Sequence, residues 1–336
     1  MTILFLVWAR QSIRAQNISK ALSARLYLLS TSPVKHPLLF IKTLRILLKE
    51  RPTVIICQSP PISCAFVAMA YSYFFRIMSK PKILIDTHSG AITRPWSRRV
   101  TEFIMKHAYT SIVTNYELQD YIRQNYGVKS IVLEDPIPDI ADKRSLMKRH
   151  GRKIHGNGTR VAVISSFEKD EPLEAVFDAA SELSEVWFYV TGDKLKVANN
   201  LINGKPGNII LTGLLSYDEY ISLIQQVDII IDLTTDDGTM VAGAYEAVAL
   251  EQPLITSNWN PLRRYFYKGT IHVDNSPEDI IQAIRQAQYE KEELRGQMRQ
   301  LKIEKINDYR SKIYEFKNLL NQFRPHTTLE EQASTH

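Results

Sequence analysis

The densest chemistry in this 336-residue chain lies in Thr234–Ser257, TTDDGTMVAGAYEAVALEQPLITS. It follows the apolar run IIIDL, which reads as a buried strand. A strand that ends in a polar, glycine-containing loop and enters a helix near Ala242 or Gly243 leaves backbone N–H groups unpaired at the helix start. Such a start suits a diphosphate, and glycine lets a ligand approach the backbone closely. Gly243, Ala244 and Tyr245 are therefore candidate phosphate-binding residues, with Thr239 in the loop before them. Glu246 falls in about the first turn of that helix. A carboxylate there accepts hydrogen bonds from ribose hydroxyls, or it serves as a favourable charge at the helix N-terminus. Spacing leaves both readings open.

A second stretch, Asp86-Thr-His88-Ser-Gly90-Ala-Ile, follows another apolar run and so lies at a strand carboxyl end. His88 there can orient a hydroxyl or move its proton, with Asp86 beside it as the second candidate catalytic residue. Alternatively, Asp86 and His88 only tie down the loop. Candidate cations for a phosphate are Arg10, Arg14, Arg263 and Arg264. Lys169, in SSFEKDEP (Ser165–Pro172), is either a fifth or a solvated loop lysine. Asp170 is placed to cap a helix starting at Pro172. Asp236-Asp237 is a poor metal-binding pair. Cys57 and Cys64, in apolar surroundings without metal-ligand spacing, read as buried free thiols in a reducing compartment.

These residues sit on alternating strands and helices. In the first half, strands at Ile3–Ala9, Arg25–Ser30, Thr53–Cys57, Lys82–Asp86, Ser111–Thr114 and Ser130–Leu133 alternate with helices at Ser12–Ser23, Leu38–Glu50, Ile62–Phe75, Trp96–Ala108 and Glu117–Tyr126. Ala141–Thr159 is basic, glycine-bearing and aperiodic, and reads as a linker. The alternation restarts with strands at Val161–Ile164, Val186–Thr191, Ile209–Thr212, Ile229–Leu233 and Leu254–Thr256, and one or two long charged helices run over Glu290–Phe323. The expected division is a first domain over 1–140, a linker over 141–159, and a second domain over 160–300. A helix over 301–323 packs back on the first domain, and a frayed tail covers 324–336. The fold class is α/β, with two doubly wound parallel-sheet domains whose strand carboxyl ends face a cleft.

Composition narrows the partners. Hydrophobic residues make up 44% and charged residues 23%, ordinary values for a soluble globular protein. The net charge of +6 favours anionic partners, but no nucleic-acid-binding module is present. Ile3–Ala9 is too short and lacks the basic leader of a signal peptide. Pro52–Phe75 is free of charge, yet Gln58-Ser59-Pro60-Pro61 interrupts it and leaves too little to span a bilayer. The helix Leu38–Glu50 is apolar on one face and carries Lys42, Arg45 and Lys49. That pattern suits an anionic membrane surface or an ordinary packed surface helix. The expected location is cytoplasmic, with peripheral contact to the cytoplasmic membrane face.

Glu246-Ala-Val-Ala-Leu-Glu-Gln-Pro253-Leu-Ile-Thr-Ser257 resembles the EAMACGxPVIAS segment of glycosyltransferase family 4 and related GT-B enzymes. VFDAASEL, FYVTGD, IILTGLLSYDEYISLIQQVDIIIDL and IHVDNSPEDIIQAI follow that family's order across the C-terminal half. The resemblance implies a GT-B fold and transfer of a sugar from a nucleotide-diphosphate donor to a hydroxyl on a carbohydrate or lipid-linked acceptor, in cell-surface polysaccharide or glycolipid synthesis, without a metal. It places Glu246 at the donor ribose, the helix start at the diphosphate, and Gly213 and Leu214 near the nucleobase. His88 corresponds to a histidine near the donor sugar, and Asp135-Pro136-Ile137-Pro138 to the element before the linker. Two departures stand out. Gly238 occupies the position of a second family glutamate, and the usual basic pair is replaced by Ser165–Pro172. That stretch, with Ser166 and Lys169 as donor-side candidates, is similar instead to the SWTPDED segment of chitobiosyldiphosphodolichol mannosyltransferases. The first resemblance implies retention and the second inversion, and retention is favoured. A non-catalytic nucleotide- or lipid-binding subunit and a sugar-nucleotide epimerase are the competing readings.

Overall fold

The computed structural model describes residues 1–30, 36–74, 80–88, 98–140, 158–196 and 204–323. The chain divides into two compact units: Met1–Asp135 with the chain from Asp308 onward, and Pro136–Asn307.

The first unit carries strands β1 (Ile3–Val7), β2 (Arg25–Leu28), β3 (Val54–Ser59), β4 (Lys82–Thr87), β5 (Thr110–Val113) and β6 (Ser130–Val132). They form one sheet in the order β2-β1-β3-β4-β5-β6, parallel at every pairing. Helices α1 (Ile13–Leu22), α2 (His36–Glu50), α3 (Ser63–Phe74), α4 (Arg98–His107) and α5 (Tyr116–Tyr126) connect them. β1 and β3 are buried along their whole length, as a sheet covered on both faces requires. Alternate residues feed the two faces. Leu4, Leu6, Ile55 and Cys57 pack under α2 to α5, while Ile3, Phe5, Val54 and Ile56 pack under α1. Local signals set the helix ends. The Ala15 N–H donates to Ser12 Oγ at the start of α1, and α5 runs from an Asn115 cap to Gly127 at φ 65°. Cys57 and Cys64 are both buried free thiols.

The second unit carries β7 (Arg160–Val163), β8 (Trp187–Thr191), β9 (Ile209–Gly213), β10 (Ile229–Asp232), β11 (Leu254–Ser257) and β12 (Thr270–Val273), in the parallel order β12-β11-β10-β7-β8-β9. Helices α6 (Leu173–Glu182), α7 (Tyr217–Gln226), α8 (Ala242–Leu250), α9 (Asn260–Tyr265) and α10 (Pro277–Tyr289) flank it. The charged C-terminal segment is a single helix, α11 (Lys291–Asn321). Its Met298 and Leu301 belong to the second unit's core, and its Ile313, Phe316 and Leu320 to the first unit's core.

Two sequence expectations shift. Ile137 and Ile140 pack in the second unit's core, so the division falls after Asp135 rather than after residue 140. Asp170 does not cap α6, whose N-cap is Pro172 without a side-chain bond. Asp170 instead ties two loops, accepting from Thr234 Oγ1 at 3.1 Å and, through its carbonyl, from Thr235 N–H at 2.7 Å. Most of the expected linker (141–157), residues 89–97 beyond His88, and the tail 324–336 lie outside the described residues.

Candidate functional site

Each sheet reverses its strand order once. In the first unit this happens between β1 and β3, in the second between β7 and β10. Crevices outside strand carboxyl ends at such reversals are the ligand sites of doubly wound sheets.

In the first unit the crevice holds a continuous polar network. Asp86, at the end of β4, is fully buried, and Arg14 on α1 binds it through Nε at 2.9 Å. Arg14 Nη1 also donates at 2.7 Å to Asp135 Oδ1 and to the Leu133 carbonyl. Burial pushes the Asp86 carboxyl up. The Arg14 charge and the His88 hydrogen bond outweigh that and hold it below the usual range. Arg14 is itself 5% exposed, so this candidate phosphate cation is committed to the interior of its own unit. His88 Nε2 lies 3.3 Å from Asp86 Oδ2 and 2.9 Å from the Gln58 amide, which lies 3.1 Å from Ser12 Oγ. A lone pair facing ionised Asp86 is repulsive, so Nε2 carries the proton. Turning the Gln58 amide end for end puts its oxygen at that contact, where it accepts from His88 and from the Ser12 hydroxyl. His88 Nδ1 then keeps a lone pair on a ring that is 30% exposed. A carboxylate that fixes one imidazole nitrogen and leaves the other basic is the arrangement of a general base. In that arrangement Asp86 would orient the imidazole and not touch a ligand itself.

The second unit differs from expectation at the start of α8. The Gly243 N–H donates to Asp232 Oδ2 at 2.7 Å, and the Ala244 N–H also bonds Asp232. Asp232, the last residue of β10, therefore takes the backbone donors expected to meet a diphosphate. Burial first, then the charges of Glu246 and Glu171, raise its carboxyl well above the usual range. The side chains of Ala244 and Tyr245 pack in the core, Tyr245 against Tyr265 and Phe266. Gly243 is required by space. A Cβ there would lie 2.7 Å from Asp232 Oδ2 and from Ile164 Cγ1. Gly243→Ala gains about 1 kcal/mol of helix propensity but overpacks at about 1–3 kcal/mol. A net loss in urea unfolding is expected.

Glu246 does not cap its own helix. Its Oε2 accepts from the Tyr220 hydroxyl on α7, leaving Oε1 for a ligand. Burial raises the Glu246 carboxyl despite that bond, and burial with the Glu246 charge raises the Tyr220 phenol. Across the crevice, the loop after β7 folds around Glu171. Its carboxylate accepts from the N–H groups of Ser166 and Phe167 at 2.9 Å each and from the hydroxyls of Ser165 and Ser166. Ser166 is thus engaged internally, and Lys169 is exposed on the same loop. Asp236 organises the loop before α8, accepting from the Gly238 N–H and the Thr239 hydroxyl at 2.9 Å each. Gly213 adopts φ 78° at the end of β9, and Leu214 beside it is 77% exposed. Arg10 and Arg264 are exposed, and exposed Arg263 donates to Asn260 Oδ1.

Asp232, Tyr220, Glu171, Gln58 and Ser12 are the site residues that sequence reasoning missed. Only Asp232 carried a local signal, a lone acid closing an apolar strand. Because its folded pKa is raised, the stability it contributes is present at low pH and is lost as pH rises through the folded value. Asp232→Asn should therefore gain stability over the unsubstituted protein as pH rises from 4 to 8, read as the difference between their urea midpoints. A constant difference would place Asp232 among ordinary carboxylates.

No family model matches the chain, and no curated protein matches its sequence. Solved structures match in shape. A sucrose-phosphate synthase from Thermosynechococcus elongatus gives a TM-score of 0.75 at 13% identity, over 96% of this chain and 99% of its own. The Anabaena protein HepE, solved with UDP and glucose, gives 0.73 at 11% identity, over 96% and 100%. A UDP-GlcNAc 2-epimerase from Neisseria meningitidis bound to UDP-GlcNAc gives 0.63 at 13% identity, over 96% and 100%. At such identities the likeness is one of fold. Two parallel six-stranded, helix-flanked sheets, shared with these structures over nearly the whole chain, give the protein the GT-B fold.

Proposed function

We propose that the protein is a glycosyltransferase that moves a sugar from a nucleotide-diphosphate donor to a hydroxyl on a carbohydrate or lipid-linked acceptor, in cell-surface polysaccharide or glycolipid synthesis. The observation that carries the donor half is Glu246, half-buried beside the second unit's crevice with one oxygen held by Tyr220 and the other left to accept from a ribose hydroxyl. The structural neighbours solved with UDP or UDP-GlcNAc support a uridine nucleotide as the first donor to try. His88 takes the acceptor proton through Nδ1 as the glycosidic bond forms and the nucleotide diphosphate leaves. Arg10, Lys169, Arg263 and Arg264 remain the cations proposed for the leaving diphosphate, and transfer proceeds without a metal. Family 4 resemblance favours retention, whereas a positioned base suits direct inverting displacement. The anomeric configuration of the product decides between them.

Glu246→Ala should weaken nucleotide diphosphate binding by about 1–3 kcal/mol, the value of a hydrogen bond to a charged group. Titration calorimetry of the folded variant reads this directly, and unchanged affinity would remove Glu246 from the site.

A specific observation favours a second reading, a non-catalytic subunit. The protein's own carboxylates, Asp232 and Glu171, already occupy backbone N–H groups at both sides of the second unit's crevice. Nucleotide binding without turnover across UDP-, GDP- and ADP-sugars would support it.

A further inference from the structure

On one face of the first unit's sheet, three helices expose apolar side chains that no described part of the chain covers. α3 has no charged residue, and its Phe66 and Tyr73, seven positions apart, are 48% and 68% exposed. α2 adds Leu38 and Ile41 at 49% and 48%, and α4 adds Val100 and Phe103 at 47% and 55%. The three are contiguous. Phe40 of α2 meets the Phe66 ring at 6.4 Å, and Phe66 and Phe103 line one groove of about 490 Å³ between α3 and α4, with Lys82 and Ile83 also in its lining. Soluble surfaces scatter apolar residues singly, and a gathered patch marks a binding face.

Charge identifies the occupant. Lys42, Arg45 and Lys49 of α2 are exposed, as are Lys80, which lines the groove, and Arg99 on α4. The described acids of these three helices are both engaged by basic groups. Glu50 bonds Arg25 and Tyr27, and Glu102 pairs with Lys106 at 2.6 Å. An apolar centre with an almost purely cationic rim fits the headgroup boundary of an anionic bilayer. A protein partner would need an apolar patch ringed by acids. No described helix is long and apolar enough to cross a membrane, so contact of this kind is interfacial. The surface is wider than α2 alone, and the aromatic groove between α3 and α4 is its centre.

We infer that the α2–α3–α4 face docks the protein on an anionic phospholipid bilayer, with Phe66 and Phe103 inserted among the acyl chains and the lysines and arginines at the phosphates. The inference is independent of sugar transfer and stands or falls on lipid binding. The test is co-sedimentation of the full chain with vesicles of equal parts phosphatidylglycerol and phosphatidylcholine, against pure phosphatidylcholine, at low and high salt. Binding only to the anionic vesicles, weakened by salt, is expected. Phe66→Ser with Phe103→Ser should lower the partition coefficient at least about tenfold, since two half-exposed rings lose their buried area. Lys42→Glu with Lys80→Glu, both at exposed positions, should lower it at least about tenfold by charge alone. Equal binding to both vesicle types, or binding untouched by either pair, would overturn the inference. So would concentration-dependent dimerisation without lipid that the phenylalanine pair abolishes, because the face would then be a protein interface.

Discussion

Replacing Asp86 with alanine is expected to cost about 3–5 kcal/mol of stability, because it leaves the Arg14 guanidinium charged and buried without its main partner. Arg14 is 5% exposed and Asp86 fully buried, so water does not take over the lost contact. Asp135 still pairs with Arg14 at 2.7 Å, which places the loss toward the lower end. Against a usual total of about 5–15 kcal/mol, such a loss is severe. Urea unfolding reads it as an earlier transition of the first unit. Asp86→Asn isolates the charge. The Asp86 carboxyl lies below its ordinary value, so its contribution is fully present above about pH 3.9 and is lost as pH falls through the depressed folded value. The Asp86→Asn deficit should therefore shrink only in strong acid. A deficit below 1 kcal/mol at pH 7 would mean that the pair contributes little beyond its desolvation cost.

His88→Ala is expected to lower kcat by about 10²–10⁴-fold, the range for losing a positioned general base. KM for the donor should change little, because His88 and the residues proposed for the nucleotide belong to different units. Stability should also change little, since His88 is partly exposed and Asp86 keeps Arg14. That separates the two residues. Asp86→Asn should damage both folding and rate, and His88→Ala the rate alone. A His88→Ala enzyme with full kcat would reduce the Asp86–His88 contact to a loop tie.

The sequence made the strands legible because a sheet covered on both faces demands unbroken apolar runs such as ILFLV and IIID. It made α8 legible because glycine and small residues after a strand mark a tight strand-to-helix turn. The sequence did not reveal what those elements bring together. Gln58 and His88 are 30 residues apart and meet only because β3 pairs with β4. Tyr220 reaches Glu246 from a different helix. Arg14 looked like a free cation until α1 packed it against the end of β4. The start of α8 looked open to a diphosphate until Asp232 took its N–H groups. In each case one-dimensional spacing singled out one group without showing its partner. Which partner it finds depends on strand order, and a single sequence does not encode that locally.

The most direct measurement is release of nucleotide diphosphate by the full chain, supplied with UDP-, GDP- and ADP-sugars, without added metal, in the presence and absence of a crude mixture of lipid-linked and soluble glycans. The expected result is release from one donor class that depends on acceptor, yields a glycosylated product, and falls by about 10²-fold or more in His88→Ala. Donor epimerised without acceptor, or no release above spontaneous hydrolysis with any donor, would contradict sugar transfer as this protein's reaction.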